Sequence, residues 1–172
     1  MTRAQLEHLL RAAGAITGKR VFVVVGSQAL LGVARNAPAD LLVSMEADMY
    51  PEDAPEMADL VDGTIGELSP FHETFGYYAH GVGPATAALP SGWRERVAVI
   101  ESSATEGVRG LCISPVDLAV SKLAAGREKD IVFVGGMIRH GLVTRADIGV
   151  VLDELPDGQA IVVRRALDER LG

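Results

Sequence analysis

Ser44-Met45-Glu46-Ala47-Asp48 places two carboxylates at alternate positions of one short stretch. On an extended strand successive side chains point to opposite faces, so Glu46 and Asp48 share a side, and Ser44 joins them. Two adjacent carboxylates repel unless a proton, solvent or a cation intervenes, and Mg²⁺ is a hard ion that takes one or two carboxylates together with phosphate oxygens. The same alternation also fits the polar outer face of an edge strand beside an acidic loop. A second candidate is Gly26-Ser27, which ends the apolar run Val21 to Val25. Glycine lets the backbone approach a ligand, and the amides and hydroxyl that follow suit a phosphate, although strand-to-helix turns also use glycine for packing alone. The spacing excludes two phosphate loops: GSQALLG lacks the second glycine of GxGxxG, and no Gly-Lys-Ser/Thr follows. The third candidate is SKLAAGREKD, Ser121 to Asp130, where Lys122 and Lys129 stand seven apart. Lys122 lies among Leu118, Ala119, Val120, Leu123 and Ala124, so its stem packs while its ammonium reaches either a cleft or open water. Arg127 and Asp130, three apart, read equally as a surface ion pair.

Other chemistry is poorly supported. His8, His72, His80 and His140 are scattered without HExxH or similar metal spacing, and read as single structural or surface histidines. Cys112, in the apolar GLCIS, reads as core. No GxSxG is present.

The elements that must carry these residues are legible from period and punctuation. A helix is expected over about Gln5 to Ile16, with Leu6, Leu9, Leu10 and Ala13 on one face. Strand Val21 to Val25 leads through Gly26-Ser27 into a short helix, SQALLGVA, whose opening amides lack partners. A second strand is expected from Leu41 through Asp48, stopped by Tyr50-Pro51. A helix from Pro55 to about Val61 and a Gly-rich turn follow, then strands over Gly76 to Gly83, Arg96 to Glu101 and Gly107 to Ile113. At Ser114 the period changes: Ser114 caps, Pro115 suits the first helical position, and Asp117 sits where a capping-box acid would. Helices are expected over Pro115 to Ala125, Glu128 to Arg139, Arg145 to Leu155 and Gly158 to Leu171. The sum is an α/β (α+β) fold, a small mixed sheet with flanking helices and a helical C-terminal part. With neither repeat nor linker, residues 1–172 read as a single domain, of which 143–172 is a helical extension.

Composition bounds the function. The 172 residues, 48% hydrophobic and 23% charged, belong to a globular chain, and 23 acidic against 16 basic residues give a net charge of −7. That balance argues against bulk electrostatic coating of nucleic acid. The charges are segregated: no Lys or Arg lies between Arg35 and Arg94, whereas Asp40, Glu46, Asp48, Glu52, Asp53, Glu56, Asp59, Asp62, Glu67 and Glu73 do. The basic residues concentrate from Arg94 onward. This fits either a solvated acidic surface opposite basic helices or a metal-binding half facing a phosphate-binding half. One cysteine permits no internal disulfide, no run approaches the ~18 apolar residues of a membrane span, and the charged N-terminus is unlike a signal peptide. A reduced cytoplasm without membrane attachment is the expected setting.

Taken together, a Gly-Ser turn, a strand bearing Ser-x-Glu-x-Asp and a later Ser-Lys-Leu-Ala-Ala-Gly-Arg-x-Lys-Asp resemble the polymerase-β-like nucleotidyltransferase superfamily. The resemblance is greatest to small bacterial abortive-infection and toxin-type nucleotidyltransferases and their uncharacterised relatives, and covers Val21 to about Leu142. It implies that Gly26 and Ser27 hold phosphates and that Glu46 and Asp48 bind Mg²⁺ (or Mn²⁺), with Ser44 beside them. It further implies that Lys122 meets phosphate with Arg127, Lys129 and Asp130 in support. A third carboxylate is expected on a neighbouring strand, with Glu101 at the end of RVAVIE the candidate. Glu46 stands where the usual motif has Asp, which lengthens the first ligand by a methylene, and the Ser27-to-Glu46 interval exceeds that of compact relatives. The implied reaction moves a nucleoside monophosphate from a nucleoside triphosphate to an acceptor, RNA or protein, with two ions ~3.5 to 4 Å apart stabilising the attacking and leaving oxygens. An antitoxin-like partner fits the toxin-type resemblance. The alternative is a nucleotide-binding or protein-interaction module of the same fold that has lost catalysis.

Overall fold

The computed structural model describes residues 1–34 and 37–171; Arg35, which bounds the acidic stretch, lies outside them. Two compact units emerge, Met1–Thr86 with Val97–Ile113, and Ala87–Arg96 with the chain from Ser114 onward.

The first unit is built on a five-stranded mixed sheet in the order β3-β2-β1-β5-β4. Its strands are β1 (Val21–Val24), β2 (Glu46–Pro51), β3 (Tyr78–Gly81), β4 (Ala98–Ile100) and β5 (Arg109–Cys112). β1 runs antiparallel to β2 and parallel to β5, β2 runs parallel to β3, and β4 runs antiparallel to β5. Phe22, Val23 and Val24 are fully buried, because β1 is central and covered on both faces. Helix α1 (Arg3–Thr17) begins at a capping box in which the Thr2 hydroxyl accepts from Gln5 N–H and the Gln5 side chain accepts from Thr2 N–H. Its Leu6, Leu9, Leu10 and Ala13 recur at helical spacing and are fully buried. The helix lies so close to the sheet that a Cβ on Gly110 of β5 would meet Leu10 Cδ1 at 2.7 Å.

Helix α2 (Ala58–Ile65) packs against β3 and α1. Next comes α3 (Pro70–Phe75), which the sequence reading did not anticipate. Ser69 caps it by accepting from His72 N–H at 3.1 Å, and Pro70 occupies the first turn.

The short helix expected at SQALLGVA is a 3₁₀ helix over Ser27–Gly32. The second strand departs from expectation at both ends. Leu41 to Ser44 is not strand: a 3₁₀ turn occupies Ala39–Leu41, and β2 starts only at Glu46. The Ser44 hydroxyl accepts from Glu46 N–H at 3.1 Å, a local bond that competes with the ladder and delays the strand. Nor do Tyr50 and Pro51 stop the strand, since they pair with Val23 and Phe22. The missing N–H of Pro51 faces the β3 side, where pairing has already ended at Gly81.

The second unit is helical: α4 (Pro115–Ala125), α5 (Glu128–Arg139), α6 (Arg145–Val150) and α7 (Asp157–Arg170), with a 3₁₀ turn at Leu152–Glu154 completing the segment expected to be one helix to Leu155. Ser114 caps α4, accepting from Asp117 N–H. The Asp117 carboxylate, 0% exposed, takes the Ser114 hydroxyl at 2.6 Å and the Arg96 guanidinium at 2.7 Å. Arg96 also binds Glu154, whose carboxyl it holds below the ordinary range.

Candidate functional site

Gly26-Ser27 and the carboxylate pair meet at one end of the sheet in the first unit. Val24 pairs with Met49, and the Val25 N–H donates to the Asp48 carbonyl at 3.0 Å, so the turn leaving β1 lies beside the start of β2. At Gly26 the approach is closest: a Cβ there would fall 2.0 Å from Asp48 Oδ2. With φ at −84° the backbone is one any residue adopts, so glycine is required for space alone. Ser27 then opens a 3₁₀ turn whose first amides have no acceptor within it.

Glu46 and Asp48 flank the buried Ala47 on β2 and share one face, both half-buried. The parallel register sets Glu46 opposite Tyr78 and Asp48 opposite His80. The Tyr78 hydroxyl donates to Glu46 Oε2 at 3.0 Å, and His80 Nδ1 stands 2.9 Å from Asp48 Oδ1. Burial, then the bond to Glu46, pushes the Tyr78 hydroxyl up to about 12, so it keeps its proton at neutral pH. Among the described residues no hydrogen bond reaches Glu46 Oε1 or Asp48 Oδ2. The Asp48 side chain is 24% exposed, so solvent reaches it.

This donor set fits a hard divalent cation. Two carboxylates on one face, each with an oxygen unclaimed by the protein, match the one or two protein ligands Mg²⁺ takes when phosphate oxygens and water complete its shell. Among the described residues no group of three or more His, Cys, Asp or Glu side chains is arranged to hold a metal ion. The fit is therefore to an ion shared with a bound phosphate rather than to a protein-only cage.

Glu101 is not brought to this pair. β4 pairs Ile100 with Gly110, and Gly110 in turn stands level with Phe22 and Pro51, the end of β2 remote from Glu46. β5 and β1 also intervene, three strand spacings or roughly 14 Å sideways. Because β4 runs antiparallel to β5, its C-terminal end points away from the Gly26 turn. Ser44 departs too: it precedes the strand, and its hydroxyl serves the Glu46 backbone.

Lys122, Arg127 and Asp130 come together in the second unit. Asp130, 1% exposed, accepts from Lys122 Nζ at 3.0 Å and from Arg127 Nε at 2.5 Å. Burial opposes its charge, but the hydrogen bonds from Arg127 and Lys122 outweigh it and hold the carboxyl below its ordinary range. The Lys122 ammonium also lies 5.1 Å from the centre of the Phe133 ring. A phosphate would have to compete with Asp130 for both cations. Lys129 is exposed.

Tyr78 is not singled out by the sequence, and His80 reads there only as a single structural or surface histidine. They stand two apart on an expected strand, as Glu46 and Asp48 do, and that matching alternation was the available signal.

A five-stranded mixed sheet flanked by helices, with a Gly-Ser turn against a paired-carboxylate strand, is a nucleotidyltransferase-like fold. The chain belongs to the family described as nucleotidyltransferase of unknown function (DUF6036), whose model matches residues 4–164, nearly its whole length. No curated protein and no solved structure matches it. Among the described residues no helix is long and apolar enough to cross a membrane.

Proposed function

We propose that the protein is a Mg²⁺-dependent nucleotidyltransferase that moves a nucleoside monophosphate from a nucleoside triphosphate to an acceptor. The carrying observation is the contact of Asp48 Oδ2 with the space over Gly26, which sets a carboxylate against the phosphate-type turn. The family match over residues 4–164 supports the transferase class and spans both units, in keeping with one domain over 1–172 that ends in a helical extension, 143–172.

In this reading Glu46 and Asp48 hold the ion through Oε1 and Oδ2. When bound, Mg²⁺ would neutralise the triphosphate and polarise the α-phosphorus. Gly26 and Ser27 offer amides and a hydroxyl to phosphate oxygens, donors already in place that need no reorganisation as charge develops. The acceptor oxygen bonds to the α-phosphorus, its proton passes to water, and pyrophosphate leaves. Lys122 and Arg127 carry positive charge for a phosphate only by loosening from Asp130, which restrains both until then, and the exposed Lys129 adds a third charge to that basic group. The acceptor is an RNA or protein hydroxyl, and the setting a bacterial cytoplasm in a toxin-antitoxin context, as for the small nucleotidyltransferases the sequence resembles.

Incubating the protein with each α-labelled nucleoside triphosphate, Mg²⁺ and total RNA or protein tests this. Label transferred by the wild type and absent with Asp48→Ala supports the reading; no transfer to either pool by the wild type counts against it. One observation favours a second reading, a nucleotide-binding module without catalysis: with Glu101 distant, no third carboxylate joins Glu46 and Asp48 among the described residues. Mg²⁺-independent binding of nucleotide without transfer would favour that module.

A further inference from the structure

Both site carboxylates are held by the strand next door, and by one oxygen each. Glu46 Oε2 receives the Tyr78 hydroxyl, and Asp48 Oδ1 meets His80 Nδ1. The parallel β2–β3 register makes the two contacts equivalent, since Glu46 faces Tyr78 and Asp48 faces His80. We infer that Tyr78 and His80 are positioning residues for a divalent cation, each fixing one carboxylate oxygen so that Glu46 Oε1 and Asp48 Oδ2 are presented to the ion. The inference rests on the cation reading of Glu46 and Asp48.

The need is greatest at Glu46. Glutamate has one more rotatable bond than aspartate, so an unrestrained Glu46 would lose more side-chain entropy on binding an ion. The Tyr78 hydroxyl removes that freedom beforehand. Tyr78 is itself anchored: its ring lies 4.6 Å from that of His72, and His72 Nδ1 accepts the Leu68 N–H at 3.1 Å. A chain of contacts thus runs from α3 through His72 and Tyr78 to Glu46. Asp48 is confined from two sides, by His80 at Oδ1 and by the Gly26 backbone at Oδ2. Residues that orient metal ligands from behind in this way change metal affinity by about 10- to 100-fold when removed.

The test is titration of the full chain with Mn²⁺, following free Mn²⁺ by electron paramagnetic resonance, with and without ATP carrying a methylene between its α- and β-phosphorus. Tyr78→Phe removes a single oxygen, and His80→Ala removes the other contact. Each is expected to raise the Mn²⁺ dissociation constant about tenfold while the thermal midpoint stays near the wild type's. His80→Asn, which puts an amide N–H near the Nδ1 position, is expected to recover most of the affinity. Should Tyr78→Phe fail to fold, the two His80 variants carry the test. Wild-type affinity in both Tyr78→Phe and His80→Ala overturns the inference while leaving the cation reading intact. Absence of Mn²⁺ binding by the wild type, even with the ATP analogue, overturns both.

Discussion

Gly26 shows what a single side chain decides in this protein. A methyl group there would occupy the position of the Asp48 carboxylate, so Gly26→Ala should push Asp48 aside and weaken Mg²⁺-dependent nucleotide binding by about tenfold or more. Asp48 is half-buried and held by His80, so displacing it should cost about 1 to 3 kcal/mol of stability. Calorimetric titration with ATP and a thermal melt check the two halves; full affinity in the variant would separate the turn from the carboxylate. Cys112 is the opposite case, a residue without chemistry. Burial pushes its thiol up to about 12, so the reactive thiolate is scarce at pH 8. A thiol reagent should label it only on unfolding, and prompt labelling of the native protein would contradict its place in the core. The shared face of Glu46 and Asp48 and the glycine ending β1 were legible from spacing, because alternation on a strand and glycine at a turn are local rules. Tyr78, His80 and Glu101 were not legible in the same way. Their relation to Glu46 depends on which strands pair and in which direction, and no local pattern encodes that.

At the scale of elements, most of the helices were readable because their signals are covalent neighbours: Ser114-Pro115 opens α4 where expected, and Gly126 closes it in a left-handed conformation. The same Ser-Pro signal at Ser69-Pro70 opens α3, a short element whose punctuation stands within a Gly-rich stretch. β2 begins later than the apolar pattern predicts because Ser44 bonds its own chain, a competition that hydrophobic pattern does not register. The α4–α5 junction carries a testable pH dependence. Asp130 titrates below its ordinary carboxylate range in the folded protein, so its ion pairs stabilise fully above the unfolded value of ~3.9 and are lost as pH falls through the folded one. Asp130→Asn should therefore lower stability at pH 7 by roughly 2 kcal/mol, because it weakens two charge-assisted hydrogen bonds whose cations, Lys122 and Arg127, still reach solvent. It should also flatten the decline below about pH 4. Urea midpoints across pH 2 to 7 read both effects, and parallel curves for variant and wild type would mean that Asp130 contributes no acid dependence.

For the whole molecule, sequence charge and family membership point the same way. The ten acids between Arg35 and Arg94 belong to the part of the chain that carries β2 and the carboxylate face. A net charge of −7 disfavours sequence-blind binding of polyanions, so under the proposed function a triphosphate would be admitted with a cation rather than by bulk attraction. The architecture was legible in outline, as a mixed sheet followed by helices, because alternating and helical periods succeed one another along the chain. Strand order and direction had to come from the fold, and they removed Glu101 from the site. The central proposal is that Glu46 and Asp48 bind a divalent cation together with a nucleotide. Calorimetric titration of the full chain with the four nucleoside triphosphates, each with and without Mg²⁺, tests this directly, with Asp48→Ala alongside. Binding that requires Mg²⁺ and is abolished by Asp48→Ala is the predicted result; binding indifferent to Mg²⁺, or unchanged in Asp48→Ala, would contradict it.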